Sequence, residues 1–216
     1  MIIKKLTSAK ASPELLLFFA GWGMDERPFL EYLPAGRDCM ICYDYRSLSF
    51  DASLPASYRR IRVVAWSMGV WAASRALSGR NLPVSESIAV NGTPWPVDDE
   101  KGIATAIFRG TLAGLDETAL QKFRRRMCGS KEAWEHFLKH APQRTLEDLR
   151  EELDRIGRSS RTPAPAFEWD RIYIGLRDRI FLPASQQRAW DGRNIIKVDC
   201  DHYPSTLWPE LFNAHE

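Results

Sequence analysis

The chain contains 216 residues, enough for one domain with an inserted segment but too few for two full-sized enzymes. Its 30 basic and 28 acidic residues give a net charge of +2, so composition offers no overall case for binding nucleic acid or a membrane. No apolar run approaches the roughly 20 residues that cross a bilayer, and the first residues lack the apolar stretch of a secretion signal. We therefore expect a cytoplasmic globular protein.

Short apolar runs bounded by turn residues predict the strands of a parallel sheet. Most are apolar on both faces, as expected where helices cover both sides of a sheet. Helical patterns lie between them, and this alternation predicts an α/β layered fold. The predicted strands are 2–6, 14–20, 38–43, 61–66, 87–90, 171–175 and 195–200, and the helices between them are 28–32, 68–77 and 184–190.

The cysteines and histidines suggest neither a redox centre nor a metal site. Cys39 and Cys42 form a C-x-x-C pattern within predicted strand 38–43, where side chains three apart point to opposite faces. A redox pair normally opens a helix instead, so we interpret both as buried thiols. His136 and His140 are four apart on a predicted helix without a third ligand, which favours an exposed helix face over a metal site.

The middle of the chain differs from both ends, because residues 97–161 show no strand pattern. This segment predicts a helical lid inserted into one core formed by residues 1–96 and 162–216. A linker over 158–165, rich in Ser and Pro, ends the insertion. The predicted lid helices are 117–127, 131–140 and 146–156.

The segment 61–73 carries the strongest indication of chemistry. A buried strand runs directly into a helix, and Ser67 stands at the junction between the small residues Ala65 and Gly69. A serine on such a sharp turn is held in a strained conformation with its hydroxyl clear of the sheet. We predict that Ser67 is a nucleophile, although Ala65 departs from the G-x-S-x-G pattern. The alternative is a serine that caps an ordinary helix.

A serine nucleophile needs a base and an acid, which hydrolases of this type supply in the order Ser, Asp or Glu, His. His202 follows the last predicted strand at the sheet edge where such sites lie, whereas His215 is the penultimate residue. Asp178 follows strand 171–175 and is the predicted acid. Asp199 and Asp201 are its rivals, but the first lies within a predicted strand and the second is adjacent to the histidine.

Two backbone amides are candidates for an oxyanion hole. One is the amide of Met68, directly after the nucleophile. The other is the amide of Trp22, which lies between Gly21 and Gly23 after strand 14–20, so the backbone there can approach a ligand closely. The alternative for this segment is a glycine turn around a buried tryptophan.

Four segments resemble the BioG-type pimeloyl-carrier-protein methyl ester esterases of biotin synthesis. They are 19–25, 65–70, 91–99 and 201–204, of which the Asn-Gly-Thr-Pro-Trp-Pro stretch in 91–99 is the most specific. The resemblance implies an α/β-hydrolase fold, no cofactor, a Ser-His-Asp triad at Ser67, His202 and Asp178, and demethylation of a pimeloyl methyl ester bound to acyl carrier protein. Ala20 and residues 44–47 depart from the pattern of general hydrolases near the site.

The lid supplies apolar and basic residues that could contact such a substrate. Lys122, Arg124, Arg125 and Arg126 belong to the stretch 118–131, which carries +5 and no acid, and they could attract an acidic carrier protein. The alternative is an ordinary solvated helix face. Apolar positions that could line an acyl channel or pack the lid are Ile103, Ile107, Phe108, Leu112, Leu115, Phe123, Trp134, Phe137 and Leu138.

The sequence therefore predicts a serine carboxylesterase that needs no cofactor. A thioesterase or a general short-chain esterase on the same triad is one alternative. A catalytically inactive hydrolase fold that serves as a binding protein is another, disfavoured because Ser, Asp and His occur in the expected order.

Overall fold

The computed structural model describes residues 1–8, 12–162 and 166–213. Within them, the strands are β1 (Ile2–Leu6), β2 (Glu14–Phe19), β3 (Asp38–Tyr43), β4 (Arg60–Trp66), β5 (Val84–Val90), β6 (Arg171–Gly175) and β7 (Ile195–Val198). They join in one sheet in the order β1-β3-β2-β4-β5-β6-β7. All neighbours are parallel except β1 and β3. The predicted α/β architecture is confirmed.

The strand prediction differs from the structure in several details. Strand β1 is antiparallel to its neighbour and largely exposed, and its Lys4 and Lys5 are typical of an edge strand. Strand β5 begins three residues before the predicted start, because Val84 and the polar Glu86 pair with β4 across an irregularity at Ser85 that gives no apolar signal. Strand β7 ends two residues before its predicted end.

Helices cover the sheet on both sides. After a 3₁₀ helix at Arg27–Tyr32, the α-helices are α1 (Ser53–Ala56), α2 (Met68–Leu77), α3 (Thr105–Ala113), α4 (Glu117–Cys128), α5 (Lys131–Lys139), α6 (Leu146–Ser159), α7 (Pro183–Ala189) and α8 (Trp208–Phe212). The helices predicted from sequence are confirmed to within about three residues, whereas α1, α3 and α8 are additional.

The helices α3 to α6 lie between β5 and β6 in the chain. Three of them begin at side chains that accept a hydrogen bond from the first turn: Asp116 from Ala119, Ser130 from Ala133, and Thr145 from Asp148. Such caps satisfy amides that have no partner within the helix and so fix where each helix starts. Part of the predicted linker, residues 163–165, lies outside the described residues, as does His215.

Two hydrophobic clusters lie on opposite faces of the sheet. Cys42 belongs to one and Cys39 to the other, which confirms that this pair is buried and points apart. Burial raises the pKa of the Cys39 thiol to about 12. Among the described residues, no group of three His, Cys, Asp or Glu side chains could hold a metal ion. No helix in this part of the chain is long and apolar enough to span a membrane.

Candidate active site

Ser67 occupies a strained turn between β4 and α2. Its φ of +59° and ψ of −129° lie outside the regions that ordinary residues adopt. A Cβ on Gly69 would overlap the Phe19 carbonyl oxygen, and one on Gly92 would overlap the carbonyl of Ser67 itself. The turn therefore needs small residues on both sides. The hydroxyl of Ser67 makes no capping hydrogen bond to α2.

The hydroxyl instead meets an imidazole at the same edge of the sheet. Ser67 Oγ lies 2.9 Å from His202 Nε2, and His202 Nδ1 lies 2.9 Å from Asp178 Oδ2. All three side chains are at least 95% buried. Because Nδ1–H donates to the carboxylate, Nε2 is left to accept the proton of the hydroxyl. The structure thus brings together the three residues that the sequence singled out.

The carboxylate of Asp178 accepts hydrogen bonds from three donors besides His202. Its Oδ1 accepts from the amides of Ile180 at 2.8 Å and Phe181 at 3.0 Å. The fully buried Gln186 donates from Nε2 to Oδ2 at 3.1 Å and to the Phe181 carbonyl at 2.7 Å. These bonds orient the carboxylate toward His202. Nothing in the sequence distinguished Gln186 from other glutamines, because its partners depend on how α7 packs.

The two rival carboxylates lie elsewhere. Asp199 pairs with Arg177 and has a side chain that is 76% exposed. Asp201 lies 3.3 Å from Arg177 Nε. Neither carboxylate has a hydrogen bond to His202 among the described residues, so Asp178 alone of the three meets the imidazole there.

The side chain of Asn91 connects the loops that carry the histidine and the acid. Its Nδ2 donates to the carbonyls of Asp201 and His202, both at 3.0 Å. Its Oδ1 accepts from the amide of Gly175 at 2.6 Å, at the end of β6. Asn91 is fully buried and has a φ of +45°. The sequence analysis singled out the Asn-Gly-Thr-Pro-Trp-Pro stretch that begins at Asn91, but it did not predict a role for the asparagine.

The two predicted oxyanion donors border the same cleft as Ser67. Trp22 and Met68 both line it, and neither backbone amide has an acceptor among the described residues. Gly21 holds the Trp22 loop close, since a Cβ there would approach the Ser67 Cβ to 3.1 Å. The loop that carries the Trp22 amide therefore lies against Ser67.

The cleft above Ser67 has mostly apolar walls. Of the apolar lid residues considered from sequence, Ile103, Ile107, Phe108 and Phe123 line it. Leu115 and Phe137 are buried in the hydrophobic clusters instead. Residues that the sequence did not single out also contribute: Trp66, Thr111, Met127, Leu153, Arg179 and Ile180.

A basic pocket adjoins this cleft, and none of the residues lining it is acidic. It is lined by the exposed side chains of Lys122, Arg125, Arg126 and Arg179, together with Gly129. Arg126 and Arg179 line both the pocket and the cleft.

Arg124 does not share this exposure. It is 93% buried, and burial lowers the pKa of its guanidinium. The sequence prediction treated it as one of four basic side chains on a single exposed face. The structure corrects that grouping, because α4 turns Arg124 inward beside Leu120 and Met127.

The family model described as pimeloyl-ACP methyl esterase BioG matches residues 3–211. The chain belongs to the BioG family. The crystal structure of BioG from Haemophilus influenzae superposes with a TM-score of 0.87 at 37% identity, covering 99% of this chain and 100% of that one. An uncharacterized protein of H. influenzae is 40% identical over 206 residues, which are 92% of this chain and 94% of that protein.

A longer relative carries a different name. The malonyl-[acyl-carrier protein] O-methyltransferase of Bacteroides fragilis is 55% identical over 200 residues, which cover 91% of this chain. The chain spans only about two fifths (41%) of the length of that relative. A hydrolase from Pseudomonas aeruginosa has a TM-score of 0.64 at 12% identity, covering 97% of this chain and 90% of that one, and it shares the α/β-hydrolase fold.

Proposed function

We propose that this BioG-family chain is a serine carboxylesterase that hydrolyses the methyl ester of a pimeloyl group carried by acyl carrier protein, an intermediate of biotin synthesis. The observation that carries the proposal is the unbroken hydrogen-bond chain from Ser67 through His202 to Asp178 at the base of an apolar cleft. The family match supports the choice of ester. The proposal keeps the cytoplasmic location expected from sequence.

In the first half of the reaction, Ser67 Oγ attacks the ester carbonyl. His202 Nε2 takes the hydroxyl proton during the attack and then gives it to the departing methoxide, which leaves as methanol. Asp178 holds the tautomer in which Nε2 is the acceptor and stabilises the imidazolium that forms. An acyl-enzyme on Ser67 remains.

In the second half, water replaces methanol. His202 takes a proton from a water molecule, which attacks the acyl carbonyl, and the proton then passes to Ser67 Oγ as the acyl group leaves. The product is a free carboxylate at the distal end of the acyl chain, still joined to its carrier. In both halves the amides of Trp22 and Met68 stabilise the oxyanion, each by about 3 kcal/mol.

The surroundings of Ser67 suit a carrier-bound acyl chain. Apolar residues of α3 and α4 form walls for its methylene groups, and the basic pocket adjoins the cleft through Arg126 and Arg179. Lys122 and Arg125 extend the positive surface toward solvent. Such a surface favours an acidic carrier protein during encounter. Arg124 is buried and does not belong to this proposed docking surface.

The B. fragilis relative adds chemical support. It is named for O-methylation of a carrier-bound malonyl group, and a methyl ester made in that way is what a carrier-directed esterase would later remove. The methyltransferase name describes a protein more than twice as long as the segment that matches this chain. We therefore assign the esterase step, and not methyl transfer, to this chain.

The test is product analysis with carrier-bound methyl pimelate. Methanol release with the acyl group still on the carrier supports the proposal, whereas release of free carrier protein would indicate a thioesterase. Turnover of free methyl pimelate at the same efficiency would indicate a general esterase. A fluorophosphonate probe should label the wild type and spare Ser67→Ala. Carrier binding without turnover or labelling would identify an inactive binding protein and refute the proposal.

A further inference from the structure

A buried carboxylate of α6 joins two loops at the catalytic edge of the sheet. Glu152 is fully buried, and its Oε1 accepts from the Tyr45 amide at 2.8 Å, in the loop after β3. Its Oε2 faces the Gly23 amide at 3.4 Å, in the loop after β2. Arg144 donates to the same Oε2 at 2.6 Å and balances the charge. A buried carboxylate with donors at both oxygens is held in one orientation.

The side chain of Trp22 ties the same loop to the same helix. Its indole Nε1 donates to the backbone carbonyl of Leu149 at 2.9 Å, and its ring packs edge-on against Phe123 with centroids 5.1 Å apart. Helix α6 therefore contacts this loop at two points, through the indole of Trp22 and through the amide of the next residue, Gly23. The amide of Trp22 itself is left without an acceptor in the described part of the chain.

We propose that Glu152 is a positioning residue for the oxyanion hole. By fixing α6 against the loop after β2, it sets the direction in which the Trp22 amide points. The inference rests on the proposed function, because Trp22 acts as a donor only there. In this role α6 belongs to the catalytic apparatus as well as to the lid. Movement of α6 away from the body would misdirect the Trp22 amide, one of the two oxyanion donors.

Glu152→Gln tests this role with little change in shape. The carboxylate accepts from donors at both oxygens, but a carboxamide can accept at only one. Its NH₂ group would therefore face a donor, either the Tyr45 amide or the pair formed by the Gly23 amide and Arg144, and that contact becomes repulsive. We expect kcat for p-nitrophenyl butyrate to fall about tenfold, less than the loss of a whole oxyanion donor, with KM changed less than about twofold. The Ki of a trifluoromethyl ketone, which forms an oxyanion on the nucleophile, should rise by the same factor as kcat falls.

Glu147→Gln is the matched control. It makes the same substitution on α6 at an exposed position, away from the buried hydrogen bonds of Glu152. We expect it to keep kcat within about twofold of the wild type, as is usual for exposed positions. Rates are expressed per active site titrated with a fluorophosphonate, so that unfolded protein does not count. Equal kcat per titrated site for Glu152→Gln and the wild type would overturn the proposal.

A second variant serves if Glu152→Gln fails to fold. Trp22→Phe removes the indole bond to Leu149 but keeps an aromatic ring beside Phe123, and we expect the same parallel change in kcat and Ki. If neither quantity changes, the inference is wrong while the proposed function stands. If the wild type neither hydrolyses the ester nor reacts with the fluorophosphonate, the proposed function fails and takes the inference with it.

Discussion

At the scale of single residues, buried polar side chains hold together the loops that carry the triad. Asn91 is the clearest example, because its carboxamide bonds the backbone at His202 and the end of the strand that precedes Asp178. Gln186 does the same for the acid alone. The catalytic geometry therefore needs more than the three residues that would perform the chemistry.

Asn91→Asp should damage both stability and activity. The substitution keeps the acceptor for Gly175 but replaces the donor to two carbonyls with a carboxylate oxygen, which repels them. We expect the free energy of unfolding to fall by about 3 kcal/mol and kcat per titrated site to fall about 100-fold through misplacement of His202. Urea unfolding and ester hydrolysis measure the two effects.

Asn81 offers the control for this experiment. It is exposed, and Asn81→Asp adds the same charge away from the buried hydrogen bonds. Both its stability and its kcat should match the wild type. Equal behaviour of the two variants would show that Asn91 does not hold the loops.

Some residues of the site could be predicted from the sequence and others could not. Ser67, His202 and Asp178 were predictable because each follows a recognisable strand, and parallel strands end at one edge. Gln186 and the role of Asn91 were not, since their partners lie far away in sequence. Whether the amide of either would face a carboxylate or a carbonyl depends on the packing of the folded chain.

At the scale of elements, α6 is attached to the body through an ionic network. Asp44 lies 3.2 Å from Arg144 and 2.6 Å from Arg46, and Arg46 also pairs with Asp148 and Glu151 on α6. Burial acts to raise the pKa of Asp44, but hydrogen bonds from Arg46 and the charge of Arg144 outweigh it and hold the pKa below the usual 3.8.

This direction predicts how the network depends on pH. Because the pKa of Asp44 is lower in the folded state, its stabilising contribution is present above about pH 4 and is lost as pH falls through the folded-state value. Asp44→Asn should lower the free energy of unfolding by about 2 kcal/mol at pH 7, and this difference should shrink below pH 4. Asparagine tolerates the φ of +60° found there, so the backbone is not disturbed.

Denaturant unfolding between pH 3 and pH 7 measures the effect. Asp191 is exposed, and Asp191→Asn is the control that should show no difference at either pH. A loss of stability in Asp44→Asn that is the same at pH 3 and pH 7 would contradict the assigned ionic role.

Two of the helices between β5 and β6 were only partly predictable from the sequence. The arrangement of α4 was within reach of the sequence, because Leu120, Arg124 and Met127 recur at the spacing of one helix face. The prediction of one continuous basic surface did not take this helical spacing into account. Helix α3 was harder, since Gly110 and two threonines weaken its helical signal, and its position depends on packing against α6.

At the scale of the whole molecule, charge is distributed unevenly although the total is only +2. Lys122 and Arg125 form the outer part of the basic pocket and do not line the cleft. Reversing both charges with Lys122→Glu and Arg125→Glu should reduce kcat/KM for carrier-bound methyl pimelate about tenfold. Hydrolysis of a small methyl ester should not change. Raising the salt concentration should reduce the advantage of the wild type for the carrier-bound substrate.

The control reverses two charges elsewhere. Arg59→Glu with Lys197→Glu makes the same change in net charge at exposed positions outside the pocket. If this pair slows the carrier-bound substrate as much as the first, net charge and not a docking surface is responsible.

The overall fold was largely predictable because alternating strands and helices constrain a parallel sheet to few arrangements. The family match over residues 3–211 covers the same sheet and the helices between β5 and β6. What the pattern could not give was the antiparallel edge strand, since the described residues between Ile2–Leu6 and β2 contain no helix that would define a crossover.

The left-handed backbone at Ser67 has an evolutionary consequence. Any side chain at that φ costs about 1 kcal/mol or more, and glycine alone would relieve it. Variants selected purely for thermal robustness should therefore accumulate glycine at position 67, with the hydroxyl lost in the process. Persistence of a serine at such an unfavourable position across generations would itself be a record of selection for chemistry.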